Sequence, residues 1–285
     1  MPPAAETPIA AKLVNLGCGA RFHPAWINYD IVSRNPAVIA HDLRAGIPLP
    51  DNSCDAVYHS HILEHMRRDE ALPFLRECRR VLKPGGVIRI ATPDLERIGR
   101  LYLEKLDAAA KGTPGAAADY DWMLLEMYDQ TVREQPGGKM SEFLLQNPPP
   151  NAAFVSERIG EEAAKIVAEN AQKPAKQRSL FAQILRKPRL LWDLLVKGLL
   201  RVLGGAQAPR ALDLGRYRLS GEAHLWMYDR FSLGRLLRDA GFENPTVRQA
   251  AESAIPGWAN FYLDTTPGGA VVKPDSIFME ATKPG

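Results

Sequence analysis

The chain has 285 residues, 46% of them hydrophobic, and a formal net charge of +3, enough for one large domain or for one domain with a long insertion. Its opening residues, Met1 to Pro8, lack the cationic stretch and apolar run of a secretory signal, and no segment reaches the roughly 18 uninterrupted apolar residues of a membrane span. Cys18, Cys54 and Cys78 are odd in number and lack zinc-type spacing, so neither a disulfide framework nor a zinc site is expected, and a reduced, cytoplasmic setting is.

The predicted elements alternate. Lys12 to Gly17 is a short apolar run ending in glycine, the pattern of a buried strand, and Gly17-Cys18-Gly19 makes a tight loop after it. Trp26 to Ile31 and Ala37 to Leu43 read as the second and third strands, each ending near an acid, Asp30 and Asp42. Asp55 to Ser60 is the fourth and Gly86 to Ala91 the fifth. Between these two, Leu72, Leu75, Cys78, Val81 and Leu82 recur at helical spacing from about Asp69 to Leu82, and Lys83-Pro84-Gly85-Gly86 stops the helix. Strand alternating with helix predicts a doubly wound, Rossmann-like α/β sheet. Only about eight residues separate the first two strands, short of an ordinary crossover, so the first helix is expected to be barely a turn.

From about Glu96 to Ser220, runs rich in Ala, Leu, Lys and Glu are broken by Gly112-Thr113-Pro114-Gly115, Pro136-Gly137-Gly138 and Pro148-Pro149-Pro150. This predicts a helical insertion with loops. Tyr228 to Phe242 reads as a capped amphipathic helix ending at Gly241, and strands near Thr246 to Gln249 and Ser276 to Ala281 close the chain. The expected division is therefore a cofactor-binding part over residues 1–95, an insertion over 96–220 and a second core part over 221–285.

Glycines at a strand-to-helix turn let a ligand approach the backbone at the carboxyl edge of a sheet. The dinucleotide fingerprint needs a third glycine and an acid about twenty residues on. Here Arg21 and Phe22 follow Ala20, and Asp30 lies eleven residues after Gly19, which disfavours a pyrophosphate-bearing ligand and leaves room for a nucleoside without phosphates. An acid ending the second strand can accept both ribose hydroxyls, and one ending the third can accept from an adenine amino group.

Asn15-Leu16-Gly17-Cys18-Gly19, Asp30, His41-Asp42-Leu43, Leu49 to Val57, Leu63-Glu64-His65 and Arg79 to Gly86, taken in order, resemble the class I S-adenosylmethionine-dependent methyltransferases. The similarity is to the small-molecule branch, and the segment after the insertion resembles members that accompany glycan-building enzymes. The resemblance implies a seven-stranded sheet whose last strand is antiparallel, with S-adenosylmethionine as cofactor. It places Gly17 and Gly19 against the methionine and ribose portions, Asp30 on the ribose diol, Asp42 and Leu43 at adenine, and Ser60 beside the methionine moiety. Asn15 stands where the family more often has Asp; an amide cannot neutralise the cofactor ammonium.

Methyl transfer aligns a nucleophile, the methyl carbon and sulfur, and a hydroxyl acceptor needs a base to take its proton. Two segments offer one. In His59-Ser60-His61-Ile62-Leu63-Glu64-His65, His61 is a candidate base at the end of the fourth strand. His61, Glu64 and His65 stand at i, i+3 and i+4, which on a helix would permit a metal face. Leu-Glu-His is nevertheless widespread in the family without metal, so no metal ligand is assigned. In Gly221 to Asp229, His224 is the second candidate base, with Trp226 and Tyr228 offering faces to a sugar ring; capping by Asp229 and core filling by Trp226 are the structural alternatives. Asn147-Pro148-Pro149-Pro150 lies in the insertion, without the aromatic and away from the fourth strand, and is not the motif of amino-methylating DNA enzymes.

The charge is uneven. Residues 171–220 hold eleven Lys/Arg against two Asp, or +9, leaving twenty-five cations against thirty-one acids, or −6, elsewhere. An anionic partner or a solvated helical face both account for this. Leu190 to Leu203 is amphipathic, with Asp193, Lys197 and Arg201 in one polar stripe; it suits either packing on the core or peripheral attachment to an anionic membrane at its inner face. The favoured reading is O-methylation of a sugar, glycoconjugate or other small molecule. RNA methylation is an alternative supported by the basic segment but by no base-reading motif, which makes nucleic acid an unlikely partner. A catalytically inactive partner subunit is the non-enzymatic alternative.

Overall fold

The computed structural model describes residues 11–146, 149–160 and 188–285. Seven strands form one sheet: β1 (Leu13–Leu16), β2 (Trp26–Asp30), β3 (Val38–Ala40), β4 (Cys54–Ser60), β5 (Leu82–Pro93), β6 (Glu243–Arg248) and β7 (Ser276–Thr282), in the order β3-β2-β1-β4-β5-β7-β6. β7 runs antiparallel to both β5 and β6, and the remaining neighbours pair in parallel. This is the Rossmann-like sheet with an antiparallel last strand that the sequence predicts. Because the chain reverses from β3 at one edge to β4 beside β1, the carboxyl ends of β1 and β4 flank a switch point, where open α/β sheets bind ligands.

Helix α1 (Arg68–Val81) and a C-terminal helix at Arg230–Asp239 cover one face of the sheet. Leu75, Cys78, Leu233 and Leu237 pack there against Val14, Leu16, Val57, Ile88, Ile90 and Met279 in one buried cluster. At about 1.5–3 kcal/mol for each large side chain buried, this cluster dominates the stability of the domain. The other face carries an aromatic group: Trp258 and Phe261, from an irregular segment with a 3-10 turn (Trp258–Phe261), meet Trp26 and Tyr58 edge-on. Arg89 on β5 locks that segment in place. Wholly buried, its guanidinium bonds Asp264 at 2.8 Å, Glu280 at 2.9 Å and the carbonyls of Gln249, Ala250 and Glu252, and it lies 4.3 Å from the Trp258 ring centre.

Two elements depart from the sequence reading. No helix forms between β1 and β2; the nine-residue link is turn, bend and irregular backbone, tied by Cys18 N–H to the Tyr29 carbonyl at 3.0 Å and by Asn15 Nδ2 to the Arg21 carbonyl at 3.0 Å. The third strand is three residues rather than seven, because Asp42 leaves the sheet to cap a 3-10 turn (Leu43–Ala45) through the Arg44 N–H.

After β5 the chain enters α2 (Leu95–Ala110), capped by Asp94. It continues through α3 (Ala116–Val132), α4 (Gly138–Leu144) and a helix over residues 152–160, α5. These share their own apolar cluster of Ile98, Trp122, Met123, Phe143 and Val155, and a buried Arg158–Glu126 ion pair at 2.7 Å. Beyond the undescribed residues come α6 (Pro188–Gly204) and α7 (Ala208–Arg218); the C-terminal helix is α8 (Arg230–Asp239). The excursion ends where Leu95 N–H meets the Tyr228 carbonyl at 2.8 Å. Of the basic stretch, Lys173, Lys176, Arg178, Arg186 and Lys187 lie outside the described residues, as do Asn147 and Pro148 of the proline run. The Asp193–Lys197 stripe faces α7, through Lys197–Asp213 at 2.7 Å and an Arg216–Asp193 pair. Trp192, Leu195, Leu199 and Val202 are left exposed on α6.

Candidate active site

At the carboxyl edge of the sheet, Gly17 and Gly19 both hold left-handed backbone, φ +58° and +55°, a conformation that costs a side-chain-bearing residue energy but costs glycine none. The two differ in surroundings. A Cβ on Gly17 would stand 2.1 Å from Ile62 Cδ1, so this glycine lets the loop after β4 lie against the loop after β1. A Cβ on Gly19 would meet nothing within 4 Å, so its backbone borders open space. Asp30, at the end of β2, accepts from Gly19 N–H through Oδ2 at 2.8 Å and from Val32 N–H through Oδ1 at 3.2 Å. A carboxylate has about four acceptor positions, so two remain for a ligand diol. Asn15 spans two neighbours, donating to Asn28 Oδ1 as well as to Arg21, and so fixes the loop rather than facing a ligand.

Asp42 is less available. Arg44 covers both its oxygens, at 2.7 to 3.1 Å, and hydrogen bonds from Arg44 hold its carboxyl down to about 2. The pair is solvent-exposed and correspondingly weak. Leu43 packs against the main core. Ser60 ends β4 opposite Ala91, with Lys273 Nζ 3.5 Å from its hydroxyl.

The next residue is the first candidate base. His61 has left-handed backbone, φ +55°, unusual for a residue with a side chain and frequent where function fixes geometry. Its Nδ1 lies 2.9 Å from Glu64 Oε1 and its Nε2 2.8 Å from Ser276 Oγ, so one imidazole is held between a carboxylate and a hydroxyl. Glu64 is fully buried. Burial opposes its ionisation, but His61, with His65 and His224 nearby, outweighs that and holds its carboxyl down to about 2. Thr92 Oγ1 donates to Glu64 Oε2 at 3.2 Å.

The helix that would have lined up His61, Glu64 and His65 is instead a 3-10 turn (Leu63–His65) that begins after His61. What closes on Glu64 and His65 is His224. Leu225 N–H donates to the Glu64 carbonyl at 2.6 Å and His224 N–H to the Gln130 carbonyl at 3.1 Å, laying the returning chain across the turn. The His65 and His224 rings meet edge-on at 4.8 Å. One ligand atom from each of Glu64, His65 and His224 falls within 4.8 Å of the others, the one such group among the described residues. Burial pushes the His224 imidazole down to about 3 and that of His65 down as well. The two candidate bases of the sequence thus lie around one buried carboxylate, in different settings. Trp226 is not core: it is 39% exposed, with the Arg68 guanidinium 5.0 Å from its ring. Asp229 does cap α8, in a reciprocal box with Ser232.

A cavity of about 430 Å³ adjoins this cluster through Ser276. Asp94, Arg97, Arg230, Arg248 and Phe278 also line it, and Gly17, Gly19 and Asp30 do not. Ser276, Thr92 and Arg248 carry no motif, and only their positions on β5, β6 and β7 bring them here.

Residues 15–90 match the family described as Methyltransferase domain. A probable S-adenosylmethionine-dependent methyltransferase of Mycolicibacterium smegmatis is 46% identical over 63 residues, 22% of this chain and 24% of that protein. A probable S-adenosylmethionine-dependent methyltransferase of Mycobacterium tuberculosis is 44% identical over 50 residues, 18% of each chain. These matches span a quarter or less of the curated relatives' length. A solved S-adenosylmethionine-dependent methyltransferase of Thermotoga maritima, described as a possible histamine N-methyltransferase, aligns over 98% of this chain and 84% of its own at 13% identity and a TM-score of 0.38. Residues 15–90, which run from β1 through the glycine loop into β5, are thus similar to a methyltransferase domain, and the cofactor is S-adenosylmethionine.

Proposed function

We propose that the protein is an S-adenosylmethionine-dependent O-methyltransferase acting on a sugar, a glycoconjugate or another small hydroxylated acceptor. The observation that carries the reading is the juxtaposition, at one sheet edge, of an open glycine cradle tied to Asp30 with a carboxylate-oriented imidazole one residue beyond Ser60. In this reading Asp30 takes the ribose diol, Gly17 and Gly19 admit the methionine and ribose portions, Ser60 neighbours the methionine moiety, and Leu43 walls the adenine. Asp42 meets the adenine amino group after Arg44 swings into solvent.

S-adenosylmethionine supplies an electrophilic methyl group on a sulfonium. The chain's part is to align the acceptor, exclude water and remove a proton. His61 is the better base of the two candidates. With Nδ1 directed at Glu64, Nε2 is the nitrogen that accepts, and an acceptor hydroxyl arriving from the Ser276 side would replace the serine there. His224, pushed down to about 3 by burial, is a poor base near neutral pH. The cavity beside Ser276 mixes carboxylates with guanidinium groups, which suits a polyhydroxylated acceptor. The test is His61→Ala: turnover should fall roughly 10² to 10⁴-fold with cofactor affinity nearly unchanged. Full turnover in a folded His61→Ala variant would remove His61 from the mechanism.

The exposed apolar side of α6 favours a second, separable reading: peripheral attachment of this helix to an anionic membrane surface, which would bring a lipid-linked acceptor to the enzyme.

A further inference from the structure

We infer that Glu64, His65 and His224 form a binding site for a divalent first-row transition-metal ion, of the Mn²⁺ to Co²⁺ kind, beside His61. Two imidazoles and one carboxylate are the donor set that such ions favour over Mg²⁺ or Ca²⁺. The three ligand atoms lie within 4.8 Å of one another. Around an ion bound at about 2.1 Å, ligands stand about 3 to 4 Å apart, so side-chain rotations of roughly 1 Å close the set.

The surrounding bonds orient these groups for ligation. His65 Nδ1 lies 3.3 Å from the Ala223 carbonyl. A carbonyl only accepts, so Nδ1 carries the proton and Nε2 presents its lone pair. Outside the cluster Thr92 Oγ1 donates to Glu64 Oε2, and His61 Nδ1 lies 2.9 Å from Oε1, partners of the kind that orient a ligating carboxylate. His224 is delivered by its own N–H bond to the Gln130 carbonyl and by that of Leu225 to the Glu64 carbonyl. Glu64 Oε1 is buried and, although His61 Nδ1 lies 2.9 Å away, it has no hydrogen-bond partner among the described residues, a buried acceptor whose cost an adjacent ion would offset. In the proposed reaction the ion would polarise the acceptor hydroxyl whose proton His61 takes; that consequence rests on the methyltransferase reading, while the binding site does not.

The experiment is titration of the chelator-treated full chain with Co²⁺, without S-adenosylmethionine, followed by visible absorption and calorimetry. Cofactor titration on the same sample reads the methyltransferase proposal separately. The expected result is one ion per chain with a ligand-field spectrum. Affinity should weaken by at least about tenfold in Glu64→Gln and in His65→Gln, the lower end of what loss of even an outer partner costs. Circular dichroism checks that each variant folds. Where a variant does not fold, Co²⁺ protection of His65 and His224 from carbethoxylation in the unaltered chain, read by mass spectrometry, replaces it. No binding of Co²⁺ or Mn²⁺ by the folded, stripped chain, unchanged affinity in folded variants, or no protection of the two histidines would each overturn the site.

Discussion

Replacing Asp30 by alanine removes the carboxylate that is bonded to the glycine loop and is proposed to take the ribose diol. In the free protein the cost is two local bonds: Oδ2 to Gly19 N–H at 2.8 Å and Oδ1 to Val32 N–H at 3.2 Å. Both lie at the solvent edge, so the donors turn to water and stability should fall by only about 1 kcal/mol. With cofactor bound, the variant also loses a charge-assisted bond to the ribose diol, worth about 1.5–3 kcal/mol. At 1.36 kcal/mol per decade this is a roughly 10- to 150-fold weaker dissociation constant. Asp30→Asn keeps one oxygen and should fall between the two. Calorimetric titration of S-adenosylmethionine and of its demethylated product into all three proteins measures this, with thermal melting to confirm folding. Equal affinity in a folded Asp30→Ala variant would refute the placement of the ribose.

Two further outcomes follow from other parts of the molecule. His59 is buried on β4 with neither ring nitrogen hydrogen-bonded among the described residues, and burial pushes it from 6.5 down to about 4. The unfolded chain therefore takes up its proton first, so stability present above pH 6.5 is lost as the pH falls towards 4, by about 3 kcal/mol in all. His59→Leu should flatten the denaturant-midpoint profile across that window, and a profile parallel to the parent's would contradict the assignment. For α6, sedimentation with vesicles containing acidic lipid should show binding that falls with salt and falls further when Leu195 and Leu199 become polar; no binding at low salt would retire the membrane reading.

What the sequence made legible is what is local or periodic. Strand alternation, strand-ending acids and the glycine loop located β1 to β5 and predicted the antiparallel last strand through the family resemblance. Asp42 shortened β3 because a side chain that can cap a turn competes with the strand ladder. The short link after β1 signalled trouble for a first helix, and no helix formed there. The cluster at Glu64 was beyond such reading. His65 and His224 are separated by the whole insertion, and nothing in either segment's spacing reports that backbone bonds from Leu225 and Trp226 to the Glu64 carbonyl lay one over the other. His61 was paired with Glu64 on the assumption of a helix. The contact exists, but a left-handed residue and a 3-10 turn produce it. The Arg89 clamp was equally invisible, since a lone arginine within an apolar strand announces burial without naming Asp264 and Glu280 as its partners.

The most direct test of the central claim is transfer itself. The full chain is incubated with methyl-¹³C S-adenosylmethionine, a divalent metal and a panel of free and lipid-linked sugars, and the products are read by carbon NMR and mass spectrometry. One labelled methyl group on an acceptor oxygen is expected, formed with one equivalent of S-adenosylhomocysteine and lost in His61→Ala. Label on nitrogen or carbon, or transfer undiminished in His61→Ala, would contradict that claim.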